Sequence, residues 1–183
     1  MKTTTPATVA DLYHVPEHGK AEIVEGRLVH LGPTGALPSL AGGAIYASLR
    51  HHQRTAGGGI AYPDNAAFIV DLPHRKSFSP DAAFHRGTKP TMKFVEGAPV
   101  FAAEVRSEGD HGPSAEEDMA RKRADYFAAG TLVVWDVDLQ GDEVIRVHRA
   151  EQGEPTVYRR GQVAEAEPAV AGWRFPVDEL FDQ

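Results

Sequence analysis

Short apolar runs broken by turn residues dominate the chain, and long helical stripes are few. Lys20-Ala-Glu-Ile-Val24 and Arg27-Leu-Val-His-Leu31 flank Glu25-Gly26, a spacing that predicts a β-hairpin. Residues 100–105 and 132–137 are unbroken runs with β-branched and aromatic members, the pattern of strands buried on both faces. Pro80 opens a similar run over 80–84. Residues 144–148 lie across Gly141-Asp142 from 132–137 and are expected to pair with them, and runs at 156–159 and 177–181 finish the chain. Residues 60–62 and 66–70, on either side of Pro63-Asp64-Asn65, read as a second hairpin or a bent strand.

Helical signals are fewer. Between 40 and 54, apolar residues fall at 40, 41, 44, 45, 47 and 49, near a helical period, with Gly42-Gly43 weakening the start. Ser114 precedes a helix predicted over 115–129, with Glu117 completing a capping box and Gly130 as the stop. A short segment over 7–15 follows Thr5-Pro6, read as threonine cap and first-turn proline. Gly32-Pro-Thr-Gly35 reads as a turn, Gly57-Gly58-Gly59 as a mobile connector, and 87–97 and 108–113 as loops. Strands, one long helix, then more strands predict a mixed central sheet flanked by helices, in a single α/β domain over 1–183.

Composition narrows the function. A hydrophobic content of 42% over 183 residues supports a packed core. The absence of cysteine excludes disulfides, thiolate zinc sites and a cysteine nucleophile, and fits a reducing, cytoplasmic setting. Met1-Lys-Thr-Thr-Thr-Pro6 has no apolar core of signal-peptide length. Nowhere is there a run of roughly 18 apolar residues, so no membrane span is expected. A net charge of −7 argues against a broad basic face, so non-specific binding to nucleic acid should be weak.

Candidate chemistry lies at strand ends. Glu104 closes an apolar run, and a charge there requires a partner. Asp81 follows Pro80 in the same grammar. Two carboxylates at neighbouring strand ends can hold Mg²⁺ or Mn²⁺, with the Val105 carbonyl as the natural third ligand. Such an ion acidifies water and offsets charge on a phosphoryl oxygen, as a metal-dependent nuclease requires. Arg106, two residues beyond Glu104, should project on the same face and clamp phosphate, and Lys122 on the predicted helix is the alternative cation. Each has a bland alternative. Asp81 could cap a turn, Arg106 could bridge Glu104 or Glu108, and Lys122 could pair with Asp118 at i−4. Pro63-Asp64 competes with Asp81 but reads as a turn. His51 and His52 point apart, His111 is expected to face solvent, and Trp135 and Trp173 are expected in the core.

Ser-Pro-Asp-Ala-Ala-Phe84, Val-Phe-Ala-Ala-Glu-Val-Arg-Ser107, Lys122-Arg-Ala-Asp-Tyr-Phe-Ala-Ala-Gly130 and Val-Val-Trp-Asp-Val137 together resemble the Uma-two family of restriction endonucleases, in the PD-(D/E)xK nuclease superfamily. The resemblance spans about residues 20–181. It implies a restriction-endonuclease-like core with an N-terminal hairpin, dependence on Mg²⁺, DNA as substrate and a homodimer. The family's early glutamate corresponds to Glu22, with Gly26 at the turn. Where the family often has a histidine entering the first long helix, this chain has Leu37-Pro38-Ser39-Leu40. Arg106 stands at the superfamily's strand lysine, so catalysis would lean on Lys122 or on metal alone. A catalytically idle nuclease-fold dimer serving as a binding or scaffold module is the alternative, and a phosphoesterase acting on a small nucleotide is a third.

Overall fold

The computed structural model describes residues 5–16, 19–87 and 89–182; Met1, Lys2, Thr3 and Thr4, where the leader was assessed, lie outside the described residues. The helices are α1 (Val9–Leu12), α2 (Ala36–Ala56) and α3 (Pro113–Ala128), with a 3₁₀ turn at Val177–Leu180. The strands are β1 (Ala21–Val24), β2 (Arg27–His30), β3 (Ile60–Pro63), β4 (Phe68–Ile69), β5 (Ser77–Phe78), β6 (Ala82–His85) and β7 (Val95–Glu96). There follow β8 (Phe101–Val105), β9 (Val133–Val137), β10 (Ile145–Arg149), β11 (Thr156–Tyr158), β12 (Val163–Ala166) and β13 (Val170–Pro176). Among the described residues no helix is long and apolar enough to cross a membrane.

A six-stranded mixed sheet runs β11-β10-β9-β8-β6-β3. Its one parallel pair, β8 with β9, is joined through α3, because parallel neighbours need a crossover. Side-chain alternation then builds two layers of core. Phe101, Ala103, Val105, Val133, Trp135 and Val137 pack against Ala41, Ile45 and Leu49 of α2 and against Trp173 and Phe175 of β13. On the other face, Ala102 and Val134 meet Tyr126 of α3 and Phe68 and Phe78 of a small sheet ordered β5-β4-β7. Both tryptophans are core residues, as expected.

The hairpin β1–β2 forms as predicted. Glu25 and Gly26 both take positive φ (50° and 70°), the geometry of a two-residue hairpin turn. Several local expectations fail for identifiable reasons. β3 pairs with β6 in the large sheet, whereas β4 joins the small one, so Pro63-Asp64-Asn65 is a crossing between sheets and no hairpin. α2 begins at Ala36, four residues early, because Pro38 fits within a helix's first turn. In α3 the same effect displaces the cap. Pro113 starts the helix behind Gly112, so Ser114 lies inside the first turn and the capping box with Glu117 does not form. α1 is a single turn capped by Thr8, whose backbone N–H donates to Asp11 at 2.7 Å, in place of Thr5. The hairpin β12–β13 escaped prediction, and 177–181 is largely 3₁₀.

Two glycines mark close approaches. A Cβ at Gly59 would sit 2.4 Å from Cε1 of Phe84 and 2.7 Å from the His85 carbonyl oxygen. One at Gly42 would meet the Asp81 Cβ at an ordinary 3.4 Å, where α2 passes over the start of β6. Gly59→Ala should therefore cost about 1–3 kcal/mol through overpacking. Gly42→Ala should be neutral or gain up to about 1 kcal/mol of helix propensity. Urea titrations of both variants check the contrast, and equal destabilisation would refute it.

Candidate active site

The antiparallel register of β6 with β8 pairs Ala82 with Ala103. Its continuation sets Asp81 opposite Glu104, whose Cβ atoms such pairing holds about 5 Å apart. Both acids line a cleft of about 980 Å³ between the β1–β2 hairpin, the ends of β6 and β8, and α3 from Ser114 to Asp125. Glu22 and Lys122 line it too. Four of the five candidate side chains thus converge.

Lys122 sits at the centre. Its Nζ lies 2.8 Å from Glu104 Oε1 and 3.0 Å from Glu22 Oε1. The Tyr126 hydroxyl donates to Glu104 Oε1 at 2.6 Å, while Glu22 Oε1 accepts the Ser79 amide at 2.9 Å. Glu22 Oε2 takes Arg75 at 2.6 Å, and Arg75 donates onward to Asp125 at 2.7 Å. His74, open to solvent, closes the row on the other Asp125 oxygen at 2.6 Å. Asp81 Oδ2 accepts the Val105 amide at 2.8 Å. Its Oδ1 lies 2.8 Å from Lys20 Nζ, which also reaches Asp64 at 2.7 Å.

The two glutamates around Lys122 titrate in opposite directions. Burial raises both carboxyls. For Glu22 the charges of Lys122 and Arg75 outweigh burial and leave its pKa below the usual value. Glu104 stays above it, because Lys122 is opposed by the nearby Asp81 and Glu22 charges. Burial likewise works against Lys122, yet Glu104 and Glu22 lift its pKa above the ordinary lysine value. Lys122 therefore remains a cation near neutral pH.

Arg106 does not join this group. Alternation along β8 is kept, so the side chain does lie on the α3 face. There it meets Asp136 of β9 with Nε to Oδ1 at 2.7 Å and Nη2 to Oδ2 at 2.6 Å, while the remaining donors go to Glu116 of α3 and to the Asp110 carbonyl at 3.3 Å. A fork-shaped pairing of this kind outcompetes a distant single oxygen. The phosphate-clamp expectation for Arg106 is therefore corrected: its side chain is buried and already paired. Its bridge goes neither to Glu104 nor to Glu108. Asp118 pairs with Arg121 and leaves Lys122 to the cleft. His111 is exposed, as expected, with its Nε2 3.2 Å from Asp138.

Lys20, Arg75, Asp125 and Tyr126 escaped the sequence reading, and Asp64, set below Asp81 there as a rival, shares Lys20 with it. Asp125 and Tyr126 stand three and four residues after Lys122, so helical spacing alone places them on its face. Arg75, in an irregular stretch, carries no such signal. Among the described residues no three His, Cys, Asp or Glu side chains gather closely enough to hold an ion by themselves.

Two predictions follow from the ionic centre around Arg106. Arg106→Met should cost about 3–5 kcal/mol in urea unfolding, because Asp136 would be left buried with only Arg146, 3.9 Å away, beside it; a loss under about 1 kcal/mol would refute the pairing as structural. His148, nearby on β10, has an Nε2 with no partner among the described residues. Burial, aided by the Arg123 charge, lowers its pKa to about 4. The unfolded chain then takes up this proton first, so stability declines as pH falls from about 6.5 to about 4. Discounted for partial exposure, the loss is about 1–2 kcal/mol. His148→Gln should flatten that limb of the stability profile relative to the unmutated chain.

Comparison with known proteins places these residues in a family. A model of the Uma2 family, described as "Putative restriction endonuclease", matches residues 8–178. Among solved structures, one described as a putative nuclease belonging to DUF820, from Anabaena variabilis ATCC 29413, superposes with a TM-score of 0.74 at 16% identity. The alignment covers 96% of this chain and 98% of that one, a likeness of fold. No curated protein matches the sequence.

Proposed function

Since the chain belongs to the Uma2 family, we propose that it hydrolyses DNA phosphodiester bonds with Mg²⁺ or Mn²⁺ held by Asp81, Glu104 and the Val105 carbonyl. An imbalance of charge at one end of the sheet carries the reading. Lys20 pairs with two carboxylates, Asp64 and Asp81, while Lys122 and Arg75 pair with three, Glu22, Glu104 and Asp125. Each group has one carboxylate more than it has lysine or arginine, with His74 also on Asp125, and the two groups meet where the strand register sets Asp81 opposite Glu104. The donors are all oxygen, as hard cations prefer, and so few protein ligands leave room for the waters that Mg²⁺ retains.

Bound there, the ion would supply an acidified water and offset charge on the phosphoryl oxygens. The chain's own groups do the rest. Lys122, held between its two carboxylates, presents positive charge to the phosphate and orients the attacking water. Glu22 holds Lys122, and Tyr126 holds Glu104. The net charge of −7 leaves DNA affinity to the cleft.

One observation favours a second reading, the catalytically idle module: Lys20 and Lys122 already give both candidate ligands an internal cation. A supercoiled-plasmid nicking assay separates the two. The proposal expects cutting that requires Mg²⁺ or Mn²⁺, stops with EDTA, and falls roughly a hundredfold or more in Asp81→Asn and in Glu104→Gln. Equal cutting by all three proteins identifies a contaminant. The absence of cutting, with no thermal stabilisation by millimolar Mn²⁺, supports the idle module.

A further inference from the structure

The two Pro-Asp pairs of the sequence meet on one lysine. β3 pairs with β6 so that Pro63 faces Ala82. Continued one step, that register sets Asp64 beside Asp81 at the same end of the sheet. Lys20, entering from the residue before β1, places its ammonium 2.7 Å from one and 2.8 Å from the other. The two seats differ. The Asp81 side chain is 14% exposed and that of Asp64 is 53% exposed, so one is an inner seat and the other an outer one.

Resting on the metal reading above, we propose that Lys20 is a tethered counter-cation, which holds the divalent ion's place at Asp81 and passes to Asp64 when the ion arrives. Asp81 Oδ2 is already taken by the Val105 amide, so Oδ1, the oxygen facing Lys20, is the one left for an ion. An ammonium and a divalent cation cannot share that oxygen, because like charges at such a separation repel strongly. The outer carboxylate spares the displaced ammonium from being left unpaired. A lysine suits the task, being a compact charge on a flexible stem. Lys122 has no such freedom, since both its carboxylates are buried. Lys20 therefore sets ion affinity by competition, and Asp64 weakens that competition by offering an alternative.

Isothermal titration with Mn²⁺ alone, on the full chain, tests this. Lys20→Met should bind Mn²⁺ roughly tenfold tighter than the unmutated protein, because the competitor is gone. Asp64→Asn should bind a few-fold more weakly, and that weakening should vanish when Lys20→Met is also present. An unchanged or weaker affinity in Lys20→Met overturns the inference. So does an Asp64→Asn effect that persists in the double variant, which would mark a direct pull of Asp64 on the ion. If Lys20→Met fails to fold by circular dichroism, Lys20→Gln takes its place in the single and double variants with the same expected outcomes, and unchanged affinity in Asp64→Asn overturns the proposal. Binding that is lost in Asp81→Asn but untouched by Lys20→Met removes only the role of Lys20. No Mn²⁺ binding by the unmutated protein removes the metal reading and this inference together.

Discussion

The contact on which this architecture depends is a single ammonium, Lys122, held between two carboxylates from different strands. Glu22 comes from the hairpin and Glu104 from the central sheet. Neither acid could remain ionised at that depth alone, since transfer of a bare carboxylate out of water costs many times the free energy of a typical contact. The lysine ties hairpin, sheet and helix into one wall. Removing it would leave two like charges facing each other across the cleft.

Two ionic centres lie on the α3 face of the sheet, and their chemistry diverges. Around Arg106 the account is closed: Asp136 is paired in a fork, and Glu116 and the Asp110 carbonyl take the remaining donors. Such a group braces β8, β9 and α3 and has nothing to offer a substrate. Around Lys122 the carboxylates outnumber the cations, and the surplus faces a cleft. Surplus charge, held in place by burial and backbone donors, is what a cation-dependent phosphodiester site requires. The upward shift of Glu104 comes first from burial, and the nearby Asp81 and Glu22 charges add to it.

Much of the fold was readable because its signals are local. Glu25-Gly26 could be read as a hairpin turn since few dipeptides tolerate two positive φ values in succession. Val133–Val137 reads as a strand from its composition, and Gly130 as a stop from its freedom at φ 101°. Where local rules conflicted, the reading failed. Ser114 looked like a cap until Pro113 claimed the first helical position. Residues 60–62 and 66–70 read as a hairpin or a bent strand, and the strands there belong to different sheets.

For the candidate site, the sequence supplied the names: two acids at strand ends and a lysine on the crossover helix from their positions, and an early glutamate from the family resemblance. The first three follow from the chemistry of strand termini and of helix faces, which act over a few residues. Pairing was decided only by the tertiary structure. Arg106 could have faced Glu104, Glu108 or a ligand, and the parallel register of β9 brought it Asp136 instead. Lys20 carried no signal until antiparallel pairing set two distant aspartates side by side. The physical reason is range: an ion pair is governed by distance in space, and the sequence specifies distance only along the chain.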